Sequence, residues 1–305
     1  MPDADAATAE LRTIRDFLRW SISEFRNARL SHGHGTTSVI DEAAFIILET
    51  LKLPVDDINP WLDARLLEAE RRALAGIIRA RIETRKPAAY LLQRIYIHGV
   101  PFHVDERVIV PRSYIGELMF GEIFAGSDAS LIPEPDRIAT VLDLCTGSGC
   151  LAILAASLFA NAEVDAADLS PGALEVARIN VDDNDLANRI NLLEGDLFEA
   201  VEGRTYDLII TNPPYVAGAE VDAFTPEYAH EPVMAHLGGE DGLDIVRRIL
   251  NEAADHLNPG GGLLCEIGTG REILAGEYPL LDFLWLDTEE SQGEVLWITR
   301  EQLLG

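Results

Sequence analysis

From Ala139 onward, short apolar runs and stretches with helical spacing take turns along the chain. This alternation limits the fold more than any other feature. Thr140-Val-Leu-Asp-Leu reads as a buried strand and Cys150–Phe159 as a helix. Ala162–Ala167 reads as a strand, and Pro171–Asn184 as a helix with Ser170 as cap and Pro171 at its first position. Ile190–Leu193 and Tyr206–Ile210 are further strands, Gly242–Leu257 a helix and Gly262–Ile267 a strand, with closing strands at Phe283–Asp287 and Glu294–Thr299. Strands linked through helices run parallel, so the pattern predicts an α/β fold: an open, mostly parallel sheet with helices on both faces.

The chain before this region reads differently. Ala9–Phe25 places Leu11, Ile14, Phe17, Leu18, Ile22 and Phe25 at helical spacing, Asp41–Leu51 forms a second amphipathic helix, and Leu62–Arg85 a third that stops before Pro87. Short helices with short connections predict a small bundle over residues 1–94. Tyr96–Val104 and Arg107–Pro111 read as two strands with a turn near Asp105-Glu106, a hairpin joint within 95–120. Ser127–Asp136, with Pro133 and Pro135, reads as a loop into the α/β domain, taken as 121–305.

Charge narrows the function. Residues 1–100 carry 14 basic and 14 acidic side chains, whereas 101–305 carry 10 against 38, the whole of the net −28. Affinity for nucleic acid comes largely from Lys and Arg neutralising phosphates, so no DNA partner is expected. Such a surface attracts a basic protein or serves solubility. There is no apolar run long enough for a membrane span and no basic and apolar leader at Met1-Pro-Asp-Ala-Asp-Ala. Cys145, Cys150 and Cys265 lack zinc-like spacing. These features predict a cytoplasmic protein that needs no membrane and no metal. They leave the oligomeric state open.

Three segments converge on the carboxyl edge of the predicted sheet. Val141-Leu-Asp-Leu-Cys-Thr-Gly-Ser-Gly-Cys is a strand, a turn and a helix start, where Gly147 and Gly149 let a ligand approach the backbone. Asp168 ends the second strand, where a carboxylate can accept both hydroxyls of a ribose. Gly195-Asp-Leu-Phe follows the third, with Asp196 as an acceptor and Phe198 as an apolar wall for adenine. Each has a plainer reading: Asp143 pinning the turn, Asp168 capping the next helix, Phe198 in the core.

The fourth strand ends in Thr211-Asn-Pro-Pro-Tyr-Val216. Pro213 and Pro214 remove two backbone donors and fix φ, so this corner offers carbonyls without competing N–H groups. Asn212 adds a side-chain carbonyl and Tyr215 a flat apolar face. The complementary ligand is a planar –NH2 group. A nicotinamide enzyme has no evident use for such a corner.

The segments Thr211–Tyr215 and Val141–Cys150, together with Asp168, resemble the class I S-adenosylmethionine-dependent methyltransferases that act on planar amino groups. Within them, the helical N-terminus and Val110-Pro-Arg-Ser…Glu117 are similar to the protein-glutamine methyltransferases, over nearly the whole chain. His32-Gly-His-Gly-Thr, Val108–Leu118 and Cys145 favour the branch acting on large-subunit ribosomal protein uL-three. The release-factor branch more often shows Pro-Arg-Pro-x-Thr-Glu in the joint. The resemblance implies a Rossmann-like, seven-stranded fold, S-adenosylmethionine as cofactor with S-adenosylhomocysteine as product, and basic uL-three as protein substrate. It implies that Asn212, Pro213, Pro214 and Tyr215 hold the glutamine amide, with Arg112 and Glu117 as further substrate contacts. Asp143, Cys145, Thr146, Gly147, Gly149, Asp168, Leu169, Asp196, Leu197 and Asn212 would surround the cofactor. Leu197 stands where release-factor enzymes often carry Trp.

His32 and His34 lack an evident third ligand, so the expectation is a turn whose histidines bond locally, recognising substrate or fixing the interdomain angle. Rival readings are a release-factor methyltransferase, an adenine methyltransferase using the same clamp on a flipped base, and a cofactor-binding scaffold without turnover.

Overall fold

The computed structural model describes residues 4–124, 130–221, 223–288 and 291–305. The chain divides into two compact units, one of Met1–Glu106 with Phe224–Glu231, the other of Arg107–Ala223 with Pro232–Gly305.

The first unit is helical: α1 Ala4–Glu10, α2 Ile14–Asn27, α3 Val39–Thr50, α4 Glu68–Thr84 and α5 Ala88–Leu92. The single helix expected over Ala9–Phe25 is broken in two. Thr13 caps α2 through its Oγ1, and the Asp16 carboxylate accepts the Thr13 N–H at 2.9 Å, a reciprocal capping box. The third helix begins at Glu68 rather than Leu62, because Pro60 sits in a 3-10 turn at Asn59–Trp61 and the chain re-enters a helix only where Glu70 accepts from the Leu67 N–H. Phe17, Phe25, Ile46, Ile47, Leu74 and Ile78 close the core of this unit.

The hairpin is shorter than expected and turns earlier. β1 (Ile95–Ile97) and β2 (Val100–Phe102) pair antiparallel around His98-Gly99, whose φ angles of 49° and 78° suit a two-residue type I′ turn. That turn closes the hairpin before Asp105, so no strand forms over Arg107–Pro111.

The second unit carries a seven-stranded sheet: β3 Thr140–Leu144, β4 Glu163–Asp168, β5 Ile190–Glu194, β6 Tyr206–Thr211, β7 Leu257–Glu266, β8 Leu284–Asp287 and β9 Gln292–Thr299. Their order is β5-β4-β3-β6-β7-β9-β8, parallel from β5 to β7, with β9 antiparallel to both neighbours. The central strands carry buried apolar runs, Leu208, Ile209 and Ile210 in β6 and Leu263, Leu264 and Cys265 in β7, as two covered faces require, whereas β4 holds Asp165 in its middle. Helices α6 (Tyr114–Met119), α7 (Cys150–Leu158), α8 (Pro171–Asp183), α9 (Gly218–Val221), α10 (Asp244–Glu252), α11 (Arg271–Glu277) and α12 (Arg300–Leu304) complete the unit. The helix expected over Gly242–Leu257 is only α10, followed by a 3-10 turn at Ala253–His256. Of the loop expected over Ser127–Asp136, residues 127–129 lie outside the described residues. The strand order reverses between β3 and β6, so the crevice at their carboxyl ends is where an open α/β sheet binds a ligand.

Candidate active site at the carboxyl edge of the sheet

The turn after β3 is built by Asp143. Its Oδ2 accepts from Thr146 Oγ1 at 2.5 Å and from the Ala152 N–H at 2.9 Å, so one carboxylate ties the strand, the turn and the first turn of α7. Asp143 is fully buried, and burial pushes its pKa up to about 7. Its Oδ1 has no hydrogen-bond partner among the described residues. Gly147 takes a φ of 57° and donates its N–H to Asp168 Oδ2 at 2.8 Å. At Gly149 an added Cβ would lie 3.2 Å from that of Ala177, so this glycine serves close packing of α7 on α8.

Asp168 fills the plainer role, holding the turn and the start of the next helix. Its Oδ1 accepts the Ser170 N–H at 2.8 Å at the start of α8, while Ser170 Oγ caps the helix by accepting from the Ala173 N–H. Burial raises the pKa of Asp168, against the N–H groups that favour the charge. With about four lone-pair sites on its two oxygens, the carboxylate retains acceptor capacity for a ligand hydroxyl.

After β5, Leu197 adopts a φ of 52°, unusual for a branched side chain. The reversal sends Phe198 into the core, 2% exposed and stacked on the His256 ring at 4.5 Å. Phe198 therefore does not wall a ligand site, a correction to the sequence reading. Leu197 takes that place, and Asp196 is half-buried beside it, paired with Arg248 at 2.9 Å.

These residues meet at one cavity of about 320 Å³, within the range of small-molecule sites. Cys145, Gly147, Asp168, Leu169, Asp196, Leu197, Asn212 and Pro214 all line it. Asp143, Thr146, Gly149, Pro213, Tyr215, Arg112 and Glu117 are not among its lining residues. Burial pushes the Cys145 thiol up, so it is a neutral, polarisable wall. Gly195 and Ala167 line it as well, and sequence reasoning missed the others: Arg107, Val108 and Ile109 before α6, Ser170 and Ala173 on the α8 side, Ile245 on α10, and Pro232, Met234, Ala235 and Leu237. Val108 and Ile109 were visible as apolar residues, but nothing in their spacing placed them here.

Asn212-Pro-Pro-Tyr, of which Asn212 and Pro214 line this cavity, is held by several contacts. Thr211 Oγ1 donates to the Leu144 carbonyl at 2.9 Å, locking the ends of β6 and β3 together. Asn212 Nδ2 donates to the Arg112 carbonyl at 3.3 Å. Val216 pairs with Leu237 in a parallel bridge, with Val216 N–H donating to His236 O at 2.8 Å. A Cβ on Gly242 would come within 2.3 Å of the Tyr215 carbonyl oxygen, and one on Gly238 within 2.7 Å of the Pro214 carbonyl oxygen. Only glycine lets the returning chain pass so close. The Tyr215 hydroxyl donates to Glu266 at 2.8 Å. Arg112 donates to the Val110 carbonyl at 3.1 Å, and Glu117 is half-buried on α6.

The His32–Thr36 segment lies in the helical unit. His32 Nδ1 is 2.7 Å from Glu42 Oε2, and the Gly33 N–H donates to Thr36 O. The His34 ring packs on Tyr228 at 4.3 Å and lies 3.8 Å from Glu231. His32 thus bonds, and His34 packs, within their own unit, so the expected hydrogen bonding is seen at His32 alone of the two, and no group of three or more potential metal ligands occurs among the described residues. Glu227, fully buried in the same unit, pairs with Arg85 at 2.7 Å and Arg81 at 3.7 Å and accepts the Ser31 N–H.

With this geometry in place, comparison with known proteins adds a relationship. A family model, the methyltransferase small domain, matches residues 126–228. A ribosomal protein uL3 glutamine methyltransferase of Bradyrhizobium diazoefficiens is 53% identical, covering 98% of this chain and 94% of the relative. Its counterpart in Neisseria meningitidis serogroup B is 50% identical over 98% and 97%, and that of Bordetella pertussis 47% over 96% and 97%. Among solved structures, the human Mettl16 catalytic domain in complex with MAT2A 3'UTR hairpin 6 aligns with a TM-score of 0.52, covering 73% of this chain and 82% of that one. At 16% identity this likeness speaks for the fold alone, that of the class I methyltransferases.

Proposed function

The chain belongs to the ribosomal protein uL3 glutamine methyltransferase family, and from that membership we propose that it transfers a methyl group from S-adenosylmethionine to the side-chain amide nitrogen of a glutamine in uL3. S-adenosylhomocysteine is the product. The protein substrate is basic, as a protein that sits on RNA phosphates must be, and the chain's excess of acidic residues suits it. Such a substrate is made and used in the cytoplasm, where the enzyme works.

The lining fits the cofactor. Asp168 would hold the ribose hydroxyls, Asp196 the adenine amino group, and Leu197, Leu169 and Ile245 the adenine faces. The unpartnered Oδ1 of Asp143 adds acceptor capacity beneath the turn, and Gly147 keeps its backbone bare of a side chain. When bound, the cofactor supplies a methyl carbon on a positively charged sulfur that leaves as a neutral thioether.

The chain's own task is to aim an unwilling nucleophile. An amide nitrogen shares its lone pair with the carbonyl. In the proposed complex, Asn212 Oδ1 and the Pro213 carbonyl accept its two N–H bonds, which points the nitrogen into the cavity and favours pyramidal geometry as the N–C bond forms. The proton then leaves to water, since the alkylated amide is strongly acidic, and no strong general base is needed. Orientation of this kind can supply about 7–11 kcal/mol. The observation that carries this reading is Asn212 itself: it lines the cavity with Gly147 and Asp168, and its amide nitrogen is engaged by Arg112, which leaves its oxygen to accept.

The test is to incubate the enzyme with labelled S-adenosylmethionine and a cell lysate, then digest with protease or nuclease. Label that protease releases and that maps to a uL3 glutamine is the expected result. Label released by nuclease, or carried by a release factor, overturns the assignment.

A further inference from the structure

Glu266, the last residue of β7, is fully buried, yet it does more than close the sheet. One carboxylate oxygen accepts from the Tyr215 hydroxyl at 2.8 Å. The other accepts from Ser113 Oγ at 2.7 Å and from the Tyr114 N–H at 3.0 Å. A buried carboxylate is costly to desolvate and persists where its hydrogen bonds are satisfied. The backbone of β7 pairs with β6 and β9 without help from this side chain.

The two stretches that Glu266 joins are those on either side of Asn212. Tyr215 closes the Asn-Pro-Pro-Tyr corner. Ser113 follows Arg112, whose carbonyl receives the Asn212 amide. Tyr215 is further confined by Gly268, where a Cβ would lie 2.7 Å from its ring. The ring therefore rests on bare backbone, and its hydroxyl is aimed at one acceptor.

We infer that Glu266 is the positioning residue of the proposed amide clamp: without touching substrate, it fixes Tyr215 and the Arg112–Tyr114 segment relative to each other and so sets the direction of the Asn212 carboxamide. The kinetic part of this inference rests on the proposed glutamine transfer. Its structural part does not.

The experiment compares Glu266→Ala, Glu266→Gln, Tyr215→Phe and the double variant Glu266→Ala/Tyr215→Phe with the wild-type protein. Glu266→Ala should lower kcat on uL3 about a hundredfold, the scale of a small misplacement of a reacting group, and leave S-adenosylmethionine affinity within about twofold, since no cavity-lining group is lost. Glu266→Gln should restore most of the rate, because its oxygen can accept from Ser113 and Tyr114 while its –NH2 donates to the Tyr215 oxygen. The double variant should be no slower than Glu266→Ala, because both changes break one linkage. Hydrogen exchange at the Tyr114 amide should quicken in Glu266→Ala. A wild-type kcat in Glu266→Ala, additive losses in the double variant, or unchanged exchange at Tyr114 overturns the inference. If Glu266→Ala does not fold, a wild-type kcat in Tyr215→Phe does so instead. If the wild-type protein leaves uL3 unmethylated, the proposed function falls, and the Tyr114 exchange in Glu266→Ala still decides the linkage.

Discussion

Asn212 donates its amide nitrogen to the carbonyl of Arg112, a residue 100 positions earlier in the chain, at 3.3 Å. The bond engages the nitrogen end of a nearly symmetric side chain, and in the proposed complex the oxygen end accepts from the substrate amide. Asn212→Ala should leave S-adenosylmethionine affinity close to wild type and reduce methyl transfer about a hundredfold or more, as loss of an oriented polar group at a reacting centre does. Asn212→Asp keeps the acceptor but sets an oxygen against the Arg112 carbonyl, so it should also be slow. Single-turnover rates and calorimetric binding, measured on the same preparations, separate the two effects.

Asp168 accepts the Gly147 and Ser170 N–H groups, and in the proposed complex the ribose hydroxyls as well. Asp168→Ala should weaken binding of S-adenosylmethionine and S-adenosylhomocysteine by roughly tenfold to a hundredfold, the cost of losing a charged acceptor and leaving buried donors unpaired. Titration calorimetry with either compound checks this. An effect on kcat alone would remove Asp168 from the cofactor site.

Two buried carboxyl groups make the stability of the catalytic unit depend on pH. Asp143 rises from 3.8 to about 7 and Glu266 from 4.5 to about 7, in both cases chiefly through burial. The folded state therefore holds these protons longer than the unfolded chain does. Their contribution to stability is greatest below about pH 4 and is lost as pH rises towards 7, at ~1.4 kcal/mol per pKa unit for each group. Asp143→Asn should flatten the fall in denaturation midpoint between pH 5 and pH 7. A variant slope equal to that of the wild type contradicts the assignment.

In the helical unit, Glu227 is buried between Arg85 and Arg81. Glu227→Ala takes this partner from Arg85, while Arg81 keeps its pair with Glu42, and should destabilise the unit by about 1–3 kcal/mol. Chemical denaturation followed by far-UV circular dichroism measures it.

The sheet was legible because its strands alternate with helices and the central ones carry buried apolar runs, and β3 through β6 lie within a residue of their expected ends. Elements decided by short polar contacts were not. Leu11, Ile14 and Phe17 keep helical spacing across a break made by the Thr13–Asp16 capping box. His98-Gly99 turned the hairpin early. At the site, glycines and strand-end carboxylates pointed to the edge that holds the cavity, since their positions follow from strand–turn–helix order. Phe198 misled because the positive φ of Leu197 reverses the expected side-chain direction. Pro232, Met234, Ala235 and Leu237 carry no motif. They reach the cavity through the Val216–Leu237 bridge and the close passage at Gly238 and Gly242, relationships that exist only in three dimensions.

Purified uL3, incubated with S-adenosylmethionine and either the wild-type enzyme or Asn212→Ala and then sequenced by fragmentation mass spectrometry, tests the amide clamp most directly. A single methyl on the side-chain nitrogen of one glutamine, formed by the wild-type protein and absent with the variant, is the predicted result. A methyl on any other atom of uL3, or equal modification by both proteins, contradicts it.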